Sequence, residues 1–331
     1  MTLAIHRTAA IGIDLGGTNL KLAVIDDEDR IVERLTVPTG GADGHRAVIE
    51  RMVVGVGALR AAASGLDVAG IGVGVPGMLD MATGVTGDLP NLPGRWSDVP
   101  VSPAIATATG LPVGLINDAK AFAIAEQRRG AAVGAETALL ATIGTGIGGA
   151  IIAHGRVLFG LGGVAGEIGH LILQPEGPRC SCGNFGCAET LASGPALVGE
   201  AARRIAQGFA TSLTDLSGGD LNIITPELIA RAANKGDAVA MEIIDRAGAW
   251  LGLALAGGIA LIAPDVVILG GGVAPAGSRY FRAAEAMARS HSGVTEIDRI
   301  ACRPAELGYD AGVIGAALWG RETAGSMKNT G

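Results

Sequence analysis

The chain has 331 residues, 49% hydrophobic and 17% charged, which supplies a large core and, at ~150 residues per domain, about two domains. Its 25 basic and 32 acidic side chains leave a net charge of −7, which argues against a nucleic-acid-binding protein because phosphate contacts need a basic surface. Glycine is abundant at 54 residues without a collagen-like period, and aromatics make up only 3%, so the core is drawn from Ala, Val, Ile and Leu.

In chain order, AAIGIDLGG (residues 9–17) reads as a strand, TNLKLAVID (18–26) as its hairpin partner and RIVERLTVP (30–38) as a third strand. Residues 44–65 have helical spacing, and VAGIGVGVPG (68–77) is a buried strand ending in a turn. The theme of strand, glycine-rich turn and returning strand recurs at 138–159. A helix near 237–257 leads into PDVVILGGGVA (264–274), a further strand ending in glycines, and LGYDAGVIGAALWG (307–320) closes the chain as a helix. The pattern predicts two related α/β lobes with a cleft between them: 1–117, completed by helix 307–321, and 118–306, with a disordered tail at 322–331. The stretch 247–262 comes nearest to a membrane span but reads as a buried helix, and MTLAIHRTAA lacks the apolar core of a signal peptide. No membrane partner and a reducing cytoplasm are expected.

Three glycine turns invite an anion, because a backbone stripped of side chains brings N–H groups close to phosphate oxygens. DLGGTN supplies Asp14, Gly16, Gly17, Thr18 and Asn19, with the acid suited to a magnesium-bound water and the hydroxyl to phosphate; the same residues suit an ordinary hairpin turn. GTGIGG (144–149) matches G-x-G-x-x-G, but a dinucleotide fold needs a helix after it, whereas AII is a β-type run. A hairpin turn facing phosphate through Gly144, Thr145 and Gly146 fits these flanks, as does a plain tight turn. Gly270, Gly271 and Gly272 end the late strand, against a flat adenine face or as a simple strand-to-helix turn.

LPVGLINDAKAF is an apolar strand ending in Asn117-Asp118. An acid at the carboxyl end of a strand, opening a helix, sits where α/β sheets place chemistry. Asn and Asp are equally good helix N-caps, and spacing does not choose between the two roles. CSCGNFGC holds three of the chain's four cysteines. Cys180, Cys182 and Cys187, with His170 ten residues upstream of the first, make a closed Cys3His set for structural zinc, and the alternative is three free thiols on a loop.

These motifs together resemble the ROK family of sugar kinases, within the actin-like ATPase superfamily, over roughly residues 9–320. DLGGT and TIGTGIGG resemble its two phosphate hairpins, VVILGGG its adenosine motif, and GEIGH followed by CSCGNFGCAE its signature. The resemblance implies two actin-like (ribonuclease-H-like) lobes with mixed sheets, ATP with magnesium, and a zinc-binding loop at 167–189. It implies Asp118 as catalytic base, and Gly77, Asn91, Asn117, Glu167, His170 and Glu189 as sugar ligands, His170 also keeping one ring nitrogen for zinc. The expected reaction is phosphorylation of the 6-hydroxyl of glucose. N-acetylmannosamine, N-acetylglucosamine, fructose, mannose and allose remain alternatives, and a sugar sensor is the rival of another class. The adenosine-type turn favours ATP over polyphosphate. Homodimers or homotetramers are expected. Some members carry a DNA-binding segment before the first strand, for which the ten residues ahead of Ile11 leave no room. Lys120 and Arg95 depart from the family pattern.

Overall fold

The computed structural model describes residues 8–89, 92–272, 277–293 and 296–328. Asn91, Val273 and Ala274 lie outside the described residues. The chain forms two compact units, Met1–Val133 with Val157–Ala165 and Glu306–Gly331, and Gly134–Arg156 with Gly166–Ala305.

In the first unit β1 (Thr8–Leu15), β2 (Asn19–Ile25) and β3 (Ile31–Pro38) form an antiparallel meander. Helix α1 (His45–Ala62) leads to β4 (Asp67–Val75), parallel to β1. The small hairpin β5 (Leu79–Asp80) and β6 (Val85–Thr86) and helix α2 (Val101–Thr109) follow, then β7 (Val113–Asn117), parallel to β4, and α3 (Asp118–Arg129). The sheet order is β3-β2-β1-β4-β7. Successive strand residues face opposite ways. Ile11, Ile13, Leu22, Ile71 and Val73 therefore enter one cluster with Val48, Met52 and Val56 of α1.

The opposite face carries a row of glycines, Gly12, Gly72 and Gly114, paired in register across β1, β4 and β7. The carboxyl-terminal helix, Ala311–Lys328, lies on that row. A Cβ at Gly12 would stand 1.9 Å from the Val313 carbonyl oxygen, and one at Gly72 would stand 1.7 Å from that of Ala316. Only glycine permits so close a backbone approach. The helix runs past 321, where the sequence pattern suggests a disordered tail. Buried Ala324 packs over Gly70, and no proline interrupts the segment. The division of units also differs from a boundary at 117/118. Helix α3 belongs to the first unit, where Gly315 of the closing helix meets the Ala121 backbone.

The second unit repeats the plan. β8 (Ala138–Ile143) and β9 (Ile147–Ala153) form a hairpin extended by β10 (Arg156–Val157). Short α4 (Ala188–Ala192), then α5 (Gly194–Ala206), α6 (Leu213–Leu216), α7 (Pro226–Asn234) and α8 (Ala238–Ile262) precede β11 (Val266–Gly270), which is parallel to β8. Helix α9 (Gly277–Ser290) leads to β12 (Ala301–Pro304), parallel to β11, before the closing helix, α10. The order is β10-β9-β8-β11-β12. By length and composition α8 is apolar enough to cross a bilayer, but 61% of its apolar window is buried within the protein, as in a core helix. Its Gly248 and Gly252 sit against the Tyr280 and Ala284 carbonyls of α9. Asp237 caps it through the Ala240 N–H at 2.9 Å.

Candidate functional site

The β1–β2 turn closes with Gly16 N–H donating to the Asn19 carbonyl at 3.0 Å. Buried Thr39 pins it from outside, its hydroxyl donating to the Gly16 carbonyl at 2.6 Å and its N–H to that of Thr18 at 2.8 Å. No acceptor among the described residues takes the N–H groups of Gly17 and Thr18, and both residues are exposed. Two successive unpaired N–H groups form an anion-binding concavity. Asp14, one strand residue before the turn, pairs in register with Lys21, whose ammonium lies 3.2 Å from its carboxylate. The same ammonium donates to the Tyr309 carbonyl at 3.3 Å and sits 3.4 Å above the Tyr309 ring. Lys21 is absent from the sequence-derived site. Its signal is strand alternation, which places it opposite Asp14.

At the carboxyl ends of β4 and β7, Val75 pairs in register with Asn117. Asn117 is the N-cap of α3: its side-chain oxygen accepts from Ala119 N–H at 3.0 Å and Lys120 N–H at 3.3 Å. Its amide nitrogen donates to the Gly77 carbonyl at 3.3 Å. Asp118 is thus the first helical residue, half-buried, with Oδ1 accepting from Ala119 N–H at 2.8 Å. The positive end of the helix favours an anionic side chain there. The structure brings Gly77, Asn117 and Asp118 together. Lys120 is fully buried.

In the second unit GTGIGG is a hairpin turn, with strand β9 and no helix after it, which removes a dinucleotide arrangement. Gly144 N–H donates to the Gly146 carbonyl at 2.9 Å, while the N–H groups of Thr145 and Gly146 meet no acceptor among the described residues. The turn after β11 lies beside it. Gly271 has φ 101°, and a Cβ there would stand 2.4 Å from the Ile143 carbonyl oxygen. Gly270 pairs with Thr142, so both glycine turns leave the same edge of the sheet.

The GEIGH segment packs backbone to backbone on β9. A Cβ at Gly169 would lie 2.0 Å from the Ile147 carbonyl oxygen. The Glu167 carbonyl accepts from His170 N–H at 3.1 Å in a tight turn that carries the imidazole to the cysteines. His170 Nδ1 is 3.6 Å from Cys180 Sγ, Cys182 Sγ is 3.7 Å from Cys187 Sγ, and all four ligand atoms lie within 4.8 Å of one another. A tetrahedral zinc with Zn–S of about 2.3 Å needs edges of about 3.5–3.8 Å, so the donor set fits that ion. Burial pushes Cys187 up to about 12 and raises Cys180. At Cys182 burial is outweighed by the Asn184 N–H and the neighbouring thiols, and its pKa is lowered. Three adjoining thiols ionise together only when a cation joins them. Gly186, with φ 65°, admits the loop against Gln174, whose carbonyl oxygen would lie 1.5 Å from a Cβ.

Glu189 stands in the first turn of α4, with Oε2 accepting from Ile147 N–H at 3.0 Å and Oε1 accepting from the Cys180 thiol at 3.6 Å. This connection between the cysteines and the β8–β9 turn has no local signal in the sequence.

The repeated hairpin-plus-parallel-strand sheet, with a glycine-rich hairpin turn in each copy, defines an actin-like, ribonuclease-H-like α/β protein. The chain belongs to the ROK family, whose model matches residues 10–323. Glucokinase of Halalkalibacterium halodurans is 34% identical over 324 residues, 96% of each chain. The Streptomyces griseus ROK glucokinase, solved with glucose and AMPPNP, superimposes with a TM-score of 0.84 at 33% identity, covering 95% of this chain and 99% of that one. N-acetylmannosamine kinase of Citrobacter koseri is 31% identical over 310 residues, 94% of this chain and 98% of the relative.

Proposed function

We propose that the chain is an ATP-dependent sugar kinase that transfers the γ-phosphoryl group to the 6-hydroxyl of glucose. The observation that carries this reading is the likeness, over 95% of the chain, to a glucokinase solved with glucose and a non-hydrolysable ATP analogue. The unpaired N–H groups of Gly17, Thr18, Thr145 and Gly146 are suited to phosphate oxygens. Gly270, Gly271 and Gly272 offer a flat backbone to adenosine. Asp14 supplies a carboxylate oxygen for a hydrated magnesium ion, which neutralises charge building on the phosphates.

Asp118 is the base. Its carboxylate, held at the start of the helix by the Ala119 N–H, takes the hydroxyl proton. Proton transfer is late in a loose phosphoryl-transfer transition state, so an ordinary carboxylate suffices. Asn117 orients Asp118 by capping the helix and, with Gly77 and Asn91, binds sugar. Glu167, His170 and Glu189 complete the hydroxyl contacts. With Nδ1 turned to the thiols, His170 keeps Nε2 for a hydroxyl, and a zinc ion would fix the ring in that orientation.

The identity to N-acetylmannosamine kinases supports a second reading, in which the acceptor is an N-acetylhexosamine. ADP release with magnesium-ATP decides between them when measured with glucose, mannose, fructose, allose, N-acetylmannosamine, N-acetylglucosamine and no sugar. Glucose-dependent release is the expected result. Release with an N-acetylhexosamine alone transfers the assignment to the second reading. Silence across the panel, in protein shown to hold zinc, overturns both.

A further inference from the structure

We propose that Glu189 is a positioning residue that ties the β8–β9 turn to the Cys/His cluster, so that the metal-binding loop sets the shape of the nucleotide-phosphate turn as well as that of the sugar ligands. The proposal rests on reading that turn as a phosphate site. Glu189 lies two residues after Cys187. Its Oε2 accepts the Ile147 N–H at 3.0 Å, and a Cβ at Gly146 would stand 2.2 Å from the same oxygen, so the carboxylate lies directly against the turn. Its Oε1 accepts from Cys180 at 3.6 Å. The Ile147 N–H bond to the Glu189 carboxylate is the tie that holds the turn, and a hydrogen bond to a carboxylate is charge-assisted.

The turn has two further ties to the same neighbourhood. Gly194 N–H, at the start of α5, donates to the Gly144 carbonyl at 2.9 Å. Gly169, next to His170, packs on the Ile147 carbonyl. Gly169 and Glu189, close in sequence to His170 and Cys187, thus grip the Ile147 end of the turn, and Gly194 holds its Gly144 end. Committing Ile147 N–H to Glu189 leaves the Thr145 and Gly146 N–H groups as those presented to an anion. Loss of the cluster's geometry displaces Cys187, and through Glu189 it loosens the turn.

The test uses metal-loaded wild type, Glu189→Ala and Glu189→Gln, with metal content measured in each. Amide hydrogen exchange is followed over 144–147, and magnesium-AMPPNP and glucose are titrated separately by calorimetry. Losing a hydrogen bond to a charged acceptor should speed exchange at Ile147 and weaken AMPPNP binding about tenfold or more in Glu189→Ala. Glu189→Gln keeps an acceptor oxygen and should restore both. Chelating the wild type should raise the same exchange, which tests the tie without any variant having to fold. Unchanged exchange and unchanged AMPPNP affinity in Glu189→Ala, with only glucose binding lost, would make Glu189 a sugar ligand alone and overturn the proposal. If wild type binds no nucleotide, the phosphate reading fails, and exchange at Ile147 still decides whether the tie exists.

Discussion

Replacing Gly72 by alanine puts a methyl group where the carboxyl-terminal helix already is. The new Cβ would lie 1.7 Å from the Ala316 carbonyl oxygen, 2.6 Å from its carbonyl carbon and 2.8 Å from Gly320 N, all of them helix backbone. A carbon–oxygen contact relaxes at about 3.3 Å, so helix and sheet must separate by roughly 1.6 Å. A gap of even 0.5–1 Å already forfeits about a quarter to a half of each dispersion contact. Val313, Ala316 and Ala317, at 3%, 0% and 0% exposure, all lose contact in that movement. Overpacking of this kind costs ~1–3 kcal/mol and sometimes more, and a backbone obstacle belongs at the upper end. The alanine returns about 0.5–1 kcal/mol by restricting the unfolded chain, so the expected net loss is about 2–3 kcal/mol. Urea denaturation measures it. Trp319 reports on docking of the helix, since its indole N–H donates to the Leu115 carbonyl at 3.1 Å. With a slope of about 1–3 kcal/mol/M, the midpoint should fall by about 1 M or more. Gly57→Ala is the control, in the exposed interior of α1 with nothing within 4 Å of its Cβ, and should gain about 1 kcal/mol. A Gly72→Ala midpoint at or above that of wild type would show that the helix does not rest on the glycine row.

Asp118→Asn keeps an oxygen for the Ala119 N–H, so the fold and glucose affinity should survive while kcat falls ~10²–10⁴-fold, the usual worth of a general base; lost glucose binding in calorimetry, with kcat little changed, would make Asp118 a sugar anchor instead. Chelation should remove one zinc per chain, counted by elemental analysis. By analogy with a crosslink closing a loop of similar length, zinc loss should cost about 3 kcal/mol, or about 6–12 °C in the melting temperature. A metal-free protein melting at the same temperature contradicts the stapling role. Burial works against the charge on Asp237, but the Ala240 N–H, the Ser212 hydroxyl and N–H and the Thr211 hydroxyl outweigh it and hold its carboxyl below the usual range. Its stabilisation is therefore fully present above the unfolded-state value near 3.8 and is lost as pH falls through the lower folded-state value. Asp237→Ala should cost about 1–2 kcal/mol at pH 7, and that difference should shrink in thermal melts as pH falls below 3.8; a gap independent of pH refutes this account.

What was legible in the sequence is what consecutive residues determine. The glycine turns and the cysteine spacing are local, and the β-type run after Gly149 is enough to anticipate β9. The choice between Asn117 and Asp118 as cap is not local in that sense. It is settled by the extended backbone of Asn117, with φ −68° and ψ 142°, which makes it the cap and Asp118 the first helical residue. The glycine row is hidden because Gly12, Gly72 and Gly114 belong to three strands and acquire meaning only against a helix roughly 200–300 residues further on. The contacts of Glu189 are hidden likewise, because its partner Ile147 precedes it by 42 residues. The helical end beyond 321 depends on Ala324 finding Gly70, which composition does not reveal.

The first unit is discontinuous, and this has a consequence for how the protein is made. Its five strands are complete by Asn117, yet the helix that covers one face begins at Ala311. At ~5–20 residues per second, a ribosome needs about 10–40 s to synthesise the intervening stretch of about 190 residues. Throughout that interval the nascent chain holds a finished sheet with Gly12, Gly72 and Gly114 uncovered. The second unit emerges and can fold before the first is closed. A message truncated after codon 272 and before codon 311 yields a chain that carries every candidate site residue and still lacks the helix that covers one face of its first sheet.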